Sequence, residues 1–224
     1  MEKSELNPEI VVSGDGSHTL KVASLKEHYH SHKGAIQESR YVFLKMGLKE
    51  FFDVSEIRVL EVGFGTGLNA LLTALEDSGP AVHYTTLETY PLSFELVSQL
   101  NYPRLIEGDR VDDLFQQIHE SSWGQLNQIT ESFFIEKRHI GLEAFESHEA
   151  FDLVYYDAFA PHAQPELWAP AIWQKLFGLL KPGGMLVTYC AKGQVRRDMQ
   201  AAGFTVERLP GPPGKREMLR ATKP

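Results

Sequence analysis

The chain of 224 residues has a single cysteine, Cys190, which excludes an internal disulfide and any cysteine-cluster zinc site. Cys190 lies in the apolar run 185–191 and is expected to be a packed strand residue with no chemical role. No apolar stretch approaches the roughly 20 residues of a membrane-spanning helix. The opening Met1-Glu2-Lys3-Ser4-Glu5 lacks the apolar block of a signal peptide, so a cytoplasmic location without membrane attachment is expected. Internal repeats and low-complexity tracts are absent, and no linker divides the chain. Positive charge is scarce overall: the net charge of -8 argues against indiscriminate nucleic-acid binding. Two phosphate-binding signatures are missing as well. The G-x-G-x-x-G pattern needs glycine where Leu68 stands, and a P-loop needs a Gly-Lys-Ser/Thr ending that does not occur.

What is there is a short apolar strand that empties into alternating glycines and then a helix, Val59-Leu60-Glu61-Val62-Gly63-Phe64-Gly65-Thr66-Gly67-Leu68-Asn69. Gly63, Gly65 and Gly67 can take backbone angles closed to other residues and let a ligand approach the main chain. With acidic Glu61 before the first glycine, the order strand-acidic-x-G-x-G-x-G is the form favoured by enzymes that bind S-adenosylmethionine, a cation without phosphate. Glu61, Gly63, Phe64, Gly65, Thr66, Gly67 and Asn69 are the cofactor candidates here; a dinucleotide site or a tight structural turn are the alternatives.

Hydrophobic residues make up 42% of the chain, enough for one sizeable core. Strand-like segments at 58–62, 82–88, 132–137, 151–157, 185–189, 204–209 and 215–222 alternate with helical periodicity at 68–77, 93–100, 111–120, 171–180 and 194–202. This pattern predicts an α/β fold, a seven-stranded, mostly parallel sheet covered on both faces. Only Pro210-Gly211-Pro212-Pro213-Gly214 separates the last two strands, too little for a parallel crossover, so the last strand is expected to be antiparallel. Lys181-Pro182-Gly183-Gly184 is expected to be a turn before the fifth strand. Residues 1–50 form an N-terminal appendage with a small hairpin around Gly14-Asp15-Gly16, and 51–224 form the main unit. Residues 101–130 are the least legible part and suggest an insertion.

In an open parallel sheet the ligand sits beyond the carboxyl ends of the strands. Glu88 closes the second strand, where a carboxylate accepts hydrogen bonds from a ribose; a solvated strand-end carboxylate is the alternative. Asp157 closes the fourth in Tyr155-Tyr156-Asp157-Ala158-Phe159-Ala160-Pro161 and is the candidate catalytic residue, with a turn-capping aspartate as the alternative. Trp168 follows as core or stacking surface. His28, His30 and His32 alternate but lack an acidic partner at metal-site spacing, so they are expected to be loop residues near the cofactor mouth, without metal. Residues 191–224 hold eight basic and three acidic residues, leaving -13 on the remainder. This basic excess is either a solvated face or a phosphate-contacting patch on an acidic body.

Taken together, the glycine loop, Glu38-Ser39-Arg40-Tyr41-Val42-Phe43-Leu44, Asp157-Ala158-Phe159-Ala160-Pro161, Pro182-Gly183-Gly184, Val195-Arg196-Arg197 with Ala202-Gly203-Phe204, and Lys215-Arg216-Glu217-Met218-Leu219 resemble the methyltransferase domain of the MnmC family. The resemblance runs from about Asp15 onward and is to the stand-alone form, without the flavin-dependent oxidase domain. It implies a class I, Rossmann-like methyltransferase fold, S-adenosylmethionine as cofactor, and methylation of a 5-aminomethyluridine derivative at the wobble position of tRNA. A separate enzyme would then supply the amine. The third strand in such enzymes ends in an acid that contacts adenine; His139 aligns with it here. By the same resemblance, Phe159, Pro161 and Trp168 would meet the uracil, and Arg196, Arg197, Lys215 and Arg216 the anticodon-stem phosphates. Two other readings remain: a methyltransferase or aminopropyltransferase acting on a small amine, and a non-catalytic cofactor- or RNA-binding protein of the same fold.

Overall fold

The computed structural model describes residues 7–224. Its centre is an eight-stranded sheet built from β4 (Glu56–Val62), β5 (Ala81–Leu87), β6 (Leu126–Gln128), β7 (Phe133–Arg138), β8 (Phe151–Tyr156), β9 (Leu180–Thr188), β10 (Thr205–Pro210) and β11 (Glu217–Thr222), in the order β10-β11-β9-β8-β4-β5-β7-β6. The five strands from β9 to β7 are parallel, whereas β11 runs antiparallel to both of its neighbours. Central parallel strands are covered on both faces and therefore carry apolar residues at successive positions. In β8, Leu153 and Tyr155 enter one core while Val154 and Tyr156 enter the other, as the two-residue period requires.

The first face is packed by α2 (Leu68–Ala74), α3 (Phe94–Val97), α4 (Tyr102–Leu105) and α5 (Val111–Glu120); in α5 the buried residues Val111, Leu114, Phe115 and Ile118 recur at helical spacing. α6 (Pro170–Leu179) and α7 (Gly193–Ala201) cover the second face. Ahead of the sheet, β1 (Glu9–Val12) and β2 (His18–Val22) form the expected hairpin, to which β3 (Glu27–His28) adds a third strand. The helix α1 (Ala35–Ser39) runs into a π-helical turn at Arg40–Lys45, and this segment sends Ala35, Ile36, Val42, Phe43 and Leu44 into the first core.

The sheet has eight strands where the sequence pattern predicts seven. The additional strand β6 lies inside the poorly legible 101–130 region; its three residues, Leu-Asn-Gln, are an edge without alternation, so no periodic signal exists to find it. The turn expected at 181–184 is instead an outward excursion within β9. Phe151 pairs with Leu180 and Leu153 with Met185, so these four residues bulge from the ladder, with Gly183 at a φ of 79°. The antiparallel hairpin over β10 and β11 is present, with Pro210 opposite Glu217. The chain leaves β4 for β5 on one side and, after β7, returns to β8 on the other, so the strand order reverses at β4 and a crevice opens at the carboxyl ends of these strands.

Candidate active site

A cavity of about 300 Å³ occupies that crevice. β4 ends at Val62, and the chain turns through Gly63, Gly65 and Gly67, at φ of 95°, 52° and 73°, before α2 begins. Gly63 is required twice, because a Cβ there would also stand 2.9 Å from the Asp157 carbonyl oxygen. The loop is held by its neighbours. His119 Nε2 donates to the Thr66 carbonyl at 3.1 Å, and buried Lys137 donates to the carbonyls of Ile118 and His119 at 2.8 Å while lying over the rings of Phe64 and Trp123. Burial lowers the Lys137 pKa to about 8, and burial together with Lys137 lowers that of His119 to about 4.

Glu88 follows β5 and faces the cavity. Its Oε2 accepts from the Gly65 N–H at 3.0 Å and its Oε1 from the Tyr90 N–H at 2.8 Å. Each oxygen retains a lone pair for a hydroxyl entering the cavity. Leu87, Ile140 and Leu142 supply an apolar wall beside it. At the end of β8, Asp157 Oδ2 accepts from Asn69 Nδ2 at 2.9 Å. Burial first, then the negative charge of Glu38, push the Asp157 pKa up to about 7, against the hydrogen bond from Asn69 and the charge of Lys215.

Gly63, Phe64, Gly65, Thr66, Asn69, Glu88, Asp157 and Phe159 all line this cavity. Other candidates lie elsewhere. Glu61 is fully buried beneath the loop, accepting from Thr86 Oγ1 at 2.7 Å; burial raises its pKa to about 8, so it supports the strand as a neutral group rather than meeting a ligand. Gly67 acts through backbone shape, since a Cβ there would reach His119 Nε2 at 2.8 Å. His139 is exposed, with Nε2 donating to the Thr89 carbonyl at 3.1 Å: β7 has ended, the side chain turns outward, and Ile140 to Leu142 form the wall instead.

Pro161 sits in a turn outside the cavity lining. Trp168 belongs to the core, because its Nε1 donates to the Phe159 carbonyl at 2.7 Å and its ring packs edge-on against Tyr156. It braces Phe159 from behind and offers no stacking face. Arg196 is half-buried on α7, while Arg197 and Arg216 are exposed. Lys215 turns inward, its Nζ 2.5 Å from Glu38 Oε1, and is no free phosphate contact.

Sequence reasoning missed Tyr29, whose ring lies against Gly65 and meets Phe159 edge-on at 5.0 Å. The alternating histidines did point to this segment. His30 lines the cavity between the hydroxyls of Thr19 and Thr66, and burial lowers its pKa to about 4, which makes it a neutral hydrogen-bonding group. Among the described residues no three His, Cys, Asp or Glu side chains could hold a metal ion, and no helix is long and apolar enough to cross a membrane.

Residues 115–224 match the family described as S-adenosyl-L-methionine-dependent methyltransferase. The crystal structure of MnmC2 from Aquifex aeolicus superposes with a TM-score of 0.78 at 26% identity, covering 98% of this chain and 72% of that one. The chain is 31% identical over 212 residues to the tRNA 5-methylaminomethyl-2-thiouridine biosynthesis bifunctional protein MnmC of Aromatoleum aromaticum, covering 88% of this chain and 33% of the relative. It is 32% identical over 213 residues to the protein of the same name from Paracidovorax citrulli, covering 87% and 32%. The chain is similar to MnmC-like methyltransferase domains. It spans about a third of the length of these curated relatives. Spermidine synthase from Thermotoga maritima shares the fold at 12% identity and a TM-score of 0.56.

The cofactor of this methyltransferase domain, S-adenosylmethionine, suits the residues present. A loop that only glycines can form lies next to a carboxylate with acceptor capacity for ribose hydroxyls and an apolar slot for a purine.

Proposed function

We propose that this domain methylates the primary amine of an aminomethyl group on a 5-substituted wobble uridine, position 34 of tRNA. The observation that carries the reading is the Asp157 carboxylate, fixed by Asn69 at the edge of the cofactor cavity with Phe159 two residues on. The MnmC relatives are tRNA 5-methylaminomethyl-2-thiouridine biosynthesis proteins, which supports the choice of tRNA, and a tRNA substrate implies a cytoplasmic location.

When bound, S-adenosylmethionine supplies a methyl group already activated on a sulfonium, so the protein's contribution is positioning and charge stabilisation. The glycine loop and Glu88 would hold it, Glu88 through the ribose hydroxyls. Asp157 accepts a hydrogen bond from the acceptor amine, which aims the nitrogen lone pair at the methyl carbon. After transfer the nitrogen is a secondary ammonium, and the same carboxylate takes its proton; with a pKa near 7, Asp157 can accept this proton and return it to solvent. Phe159 offers its face to the displaced uracil, since unstacked bases are read by aromatic packing and edge hydrogen bonds. Exposed Arg197 and Arg216 are available to anticodon-stem phosphates.

Incubation with methyl-labelled S-adenosylmethionine and tRNA carrying unmodified, aminomethyl or carboxymethyl uridine tests the reading. Label is expected in the aminomethyl form at position 34. Label transferred to a free polyamine but to none of the tRNAs would overturn it and favour the small-amine alternative.

A further inference from the structure

Beside Asp157 lies a charge cluster that the cofactor cavity does not include. The loop between β10 and β11 brings in Lys215, whose Nζ lies 2.5 Å from Glu38 Oε1 of α1 and 4.0 Å from the centre of the Tyr189 ring. Both supports are themselves fixed: Glu38 Oε2 accepts from the Ser31 N–H at 2.7 Å, and the Tyr189 hydroxyl donates to the Ala158 carbonyl, next to Asp157, at 2.8 Å. Glu38 is only 6% exposed, so its carboxylate cannot rely on solvent for screening. Glu38 and Lys215 act on Asp157 in opposite senses.

The other titratable groups that interact with Asp157 are Glu61 on β4, Tyr84 on β5, Tyr102 on α4 and Tyr189 directly after β9. Burial keeps all four neutral at pH 7, and His30, which faces Lys215, is neutral as well. The charge balance around Asp157 is therefore set by the pair Glu38 and Lys215. Two unbalanced carboxylates beside a primary amine would hold it as an ammonium, which has no lone pair to attack with.

We propose that Lys215 is a positioning residue for the methyl acceptor: by neutralising Glu38 it leaves Asp157 as the single unbalanced negative charge at the acceptor position, so that the amine is drawn toward its unreactive ammonium form less strongly than two unpaired carboxylates would draw it. The inference rests on the amine-methylation reading above. The amine lone pair forms the new N–C bond as the C–S bond breaks, the electron pair of that bond stays on sulfur, and the extra proton on nitrogen passes to Asp157. Lys215 takes no part in bond making. It acts through Glu38 and Asp157.

The variants K215M, E38Q, E38Q/K215M and K215R test the charge balance. The first readout is a carboxyl 13C NMR titration of the cofactor-free protein, with the Asp157 signal assigned by its loss in D157N. K215M should raise the Asp157 midpoint by about one pH unit. E38Q should lower it, and the double variant, whose charge equals that of the wild type, should return close to the wild-type value, as should K215R. The second readout is the acid limb of kcat/KM for aminomethyl-bearing tRNA, which should move to higher pH in K215M, to lower pH in E38Q and back in the double variant. Shifts of the same sign in both single variants, no shift in either, or a double variant worse than both would overturn the proposal. Should K215M fail to fold, the downward shift in E38Q and the unchanged K215R remain decisive. Expected NMR shifts in a protein that methylates no amine-bearing tRNA would refute the functional reading and leave the charge balance standing.

Discussion

Replacing Asp157 with asparagine separates what this carboxylate does for chemistry from what its ionisation costs the fold. The Asp157 carboxyl has an ordinary pKa of 3.8, raised to about 7 in the folded protein by burial and by Glu38. A carboxyl whose pKa rises on folding binds its proton more tightly in the native state than in the unfolded chain. Native stability is therefore undiminished below pH ~4 and declines as the pH climbs to ~7. The full shift corresponds to about 4 kcal/mol at ~1.4 kcal/mol per pH unit. Water entering the open cavity reduces that to roughly 2 kcal/mol. Asparagine keeps an oxygen to accept from Asn69 Nδ2, so the 2.9 Å hydrogen bond survives while the charge is lost. For a domain of this size, D157N should raise Tm at pH 8 by about 4–8 °C and leave it nearly unchanged at pH 4.5. Circular-dichroism melts at the two pH values measure this directly. Cofactor affinity by calorimetry should stay within a few-fold of wild type, whereas single-turnover methylation should disappear. An equal Tm difference at both pH values would refute the electrostatic argument, and wild-type turnover would remove Asp157 from the mechanism.

Substitution of Gly63 by alanine forces a side chain into a φ of 95° and within 2.9 Å of the Asp157 carbonyl, so cofactor affinity and Tm should both fall, at a strain of about 1–3 kcal/mol; calorimetry and thermal melts would register it. Removing the Glu88 carboxylate as E88A frees the N–H groups of Gly65 and Tyr90 and deletes the ribose acceptor, so the Kd for S-adenosylhomocysteine should rise at least tenfold with tRNA binding little affected. Lys137→Met removes the ammonium that donates to the His119 carbonyl and, beside the Ser121 hydroxyl, to the Ile118 carbonyl, and should cost about 2 kcal/mol in urea unfolding, together with weaker cofactor binding through Phe64. If Arg197 and Arg216 meet phosphates, the double alanine variant should reduce the slope of log K for tRNA against log salt by roughly 1–2; an unchanged slope would remove them from the interface.

Some of the site is local in origin and legible without a structure. Positive φ strongly favours glycine whatever surrounds it, so three alternating glycines after a strand, Gly63, Gly65 and Gly67, announce the loop by themselves. Strand ends are also local, and Glu88 and Asp157 stand out at them because a parallel sheet presents all its carboxyl ends to one crevice. Side-chain direction and long-range covering are different. Glu61 and Glu88 are both acids at strand ends, yet one is sealed under Thr86 and the other faces the cavity. Trp168 and Phe159 are both aromatics after Asp157, yet the tryptophan is held from behind by its own Nε1–H donated to the Phe159 carbonyl.

The amino-acid order by itself determined the α/β pattern, the antiparallel last strand and the cofactor loop, because each depends on residues a few positions apart; Asp157 is legible only as a strand-end acid, and the pairing of β4 with β8 sets it beside the loop. Tertiary structure alone decided which elements close over that loop. Tyr29 and His30 arrive from beyond β3, Asn69 reaches Asp157 across 88 positions, and Lys215 leaves the basic C-terminal stretch to pair with Glu38. A basic residue in a basic segment carries no sign of whether it will meet solvent, phosphate or a buried carboxylate. That choice is made by the chain that folds against it.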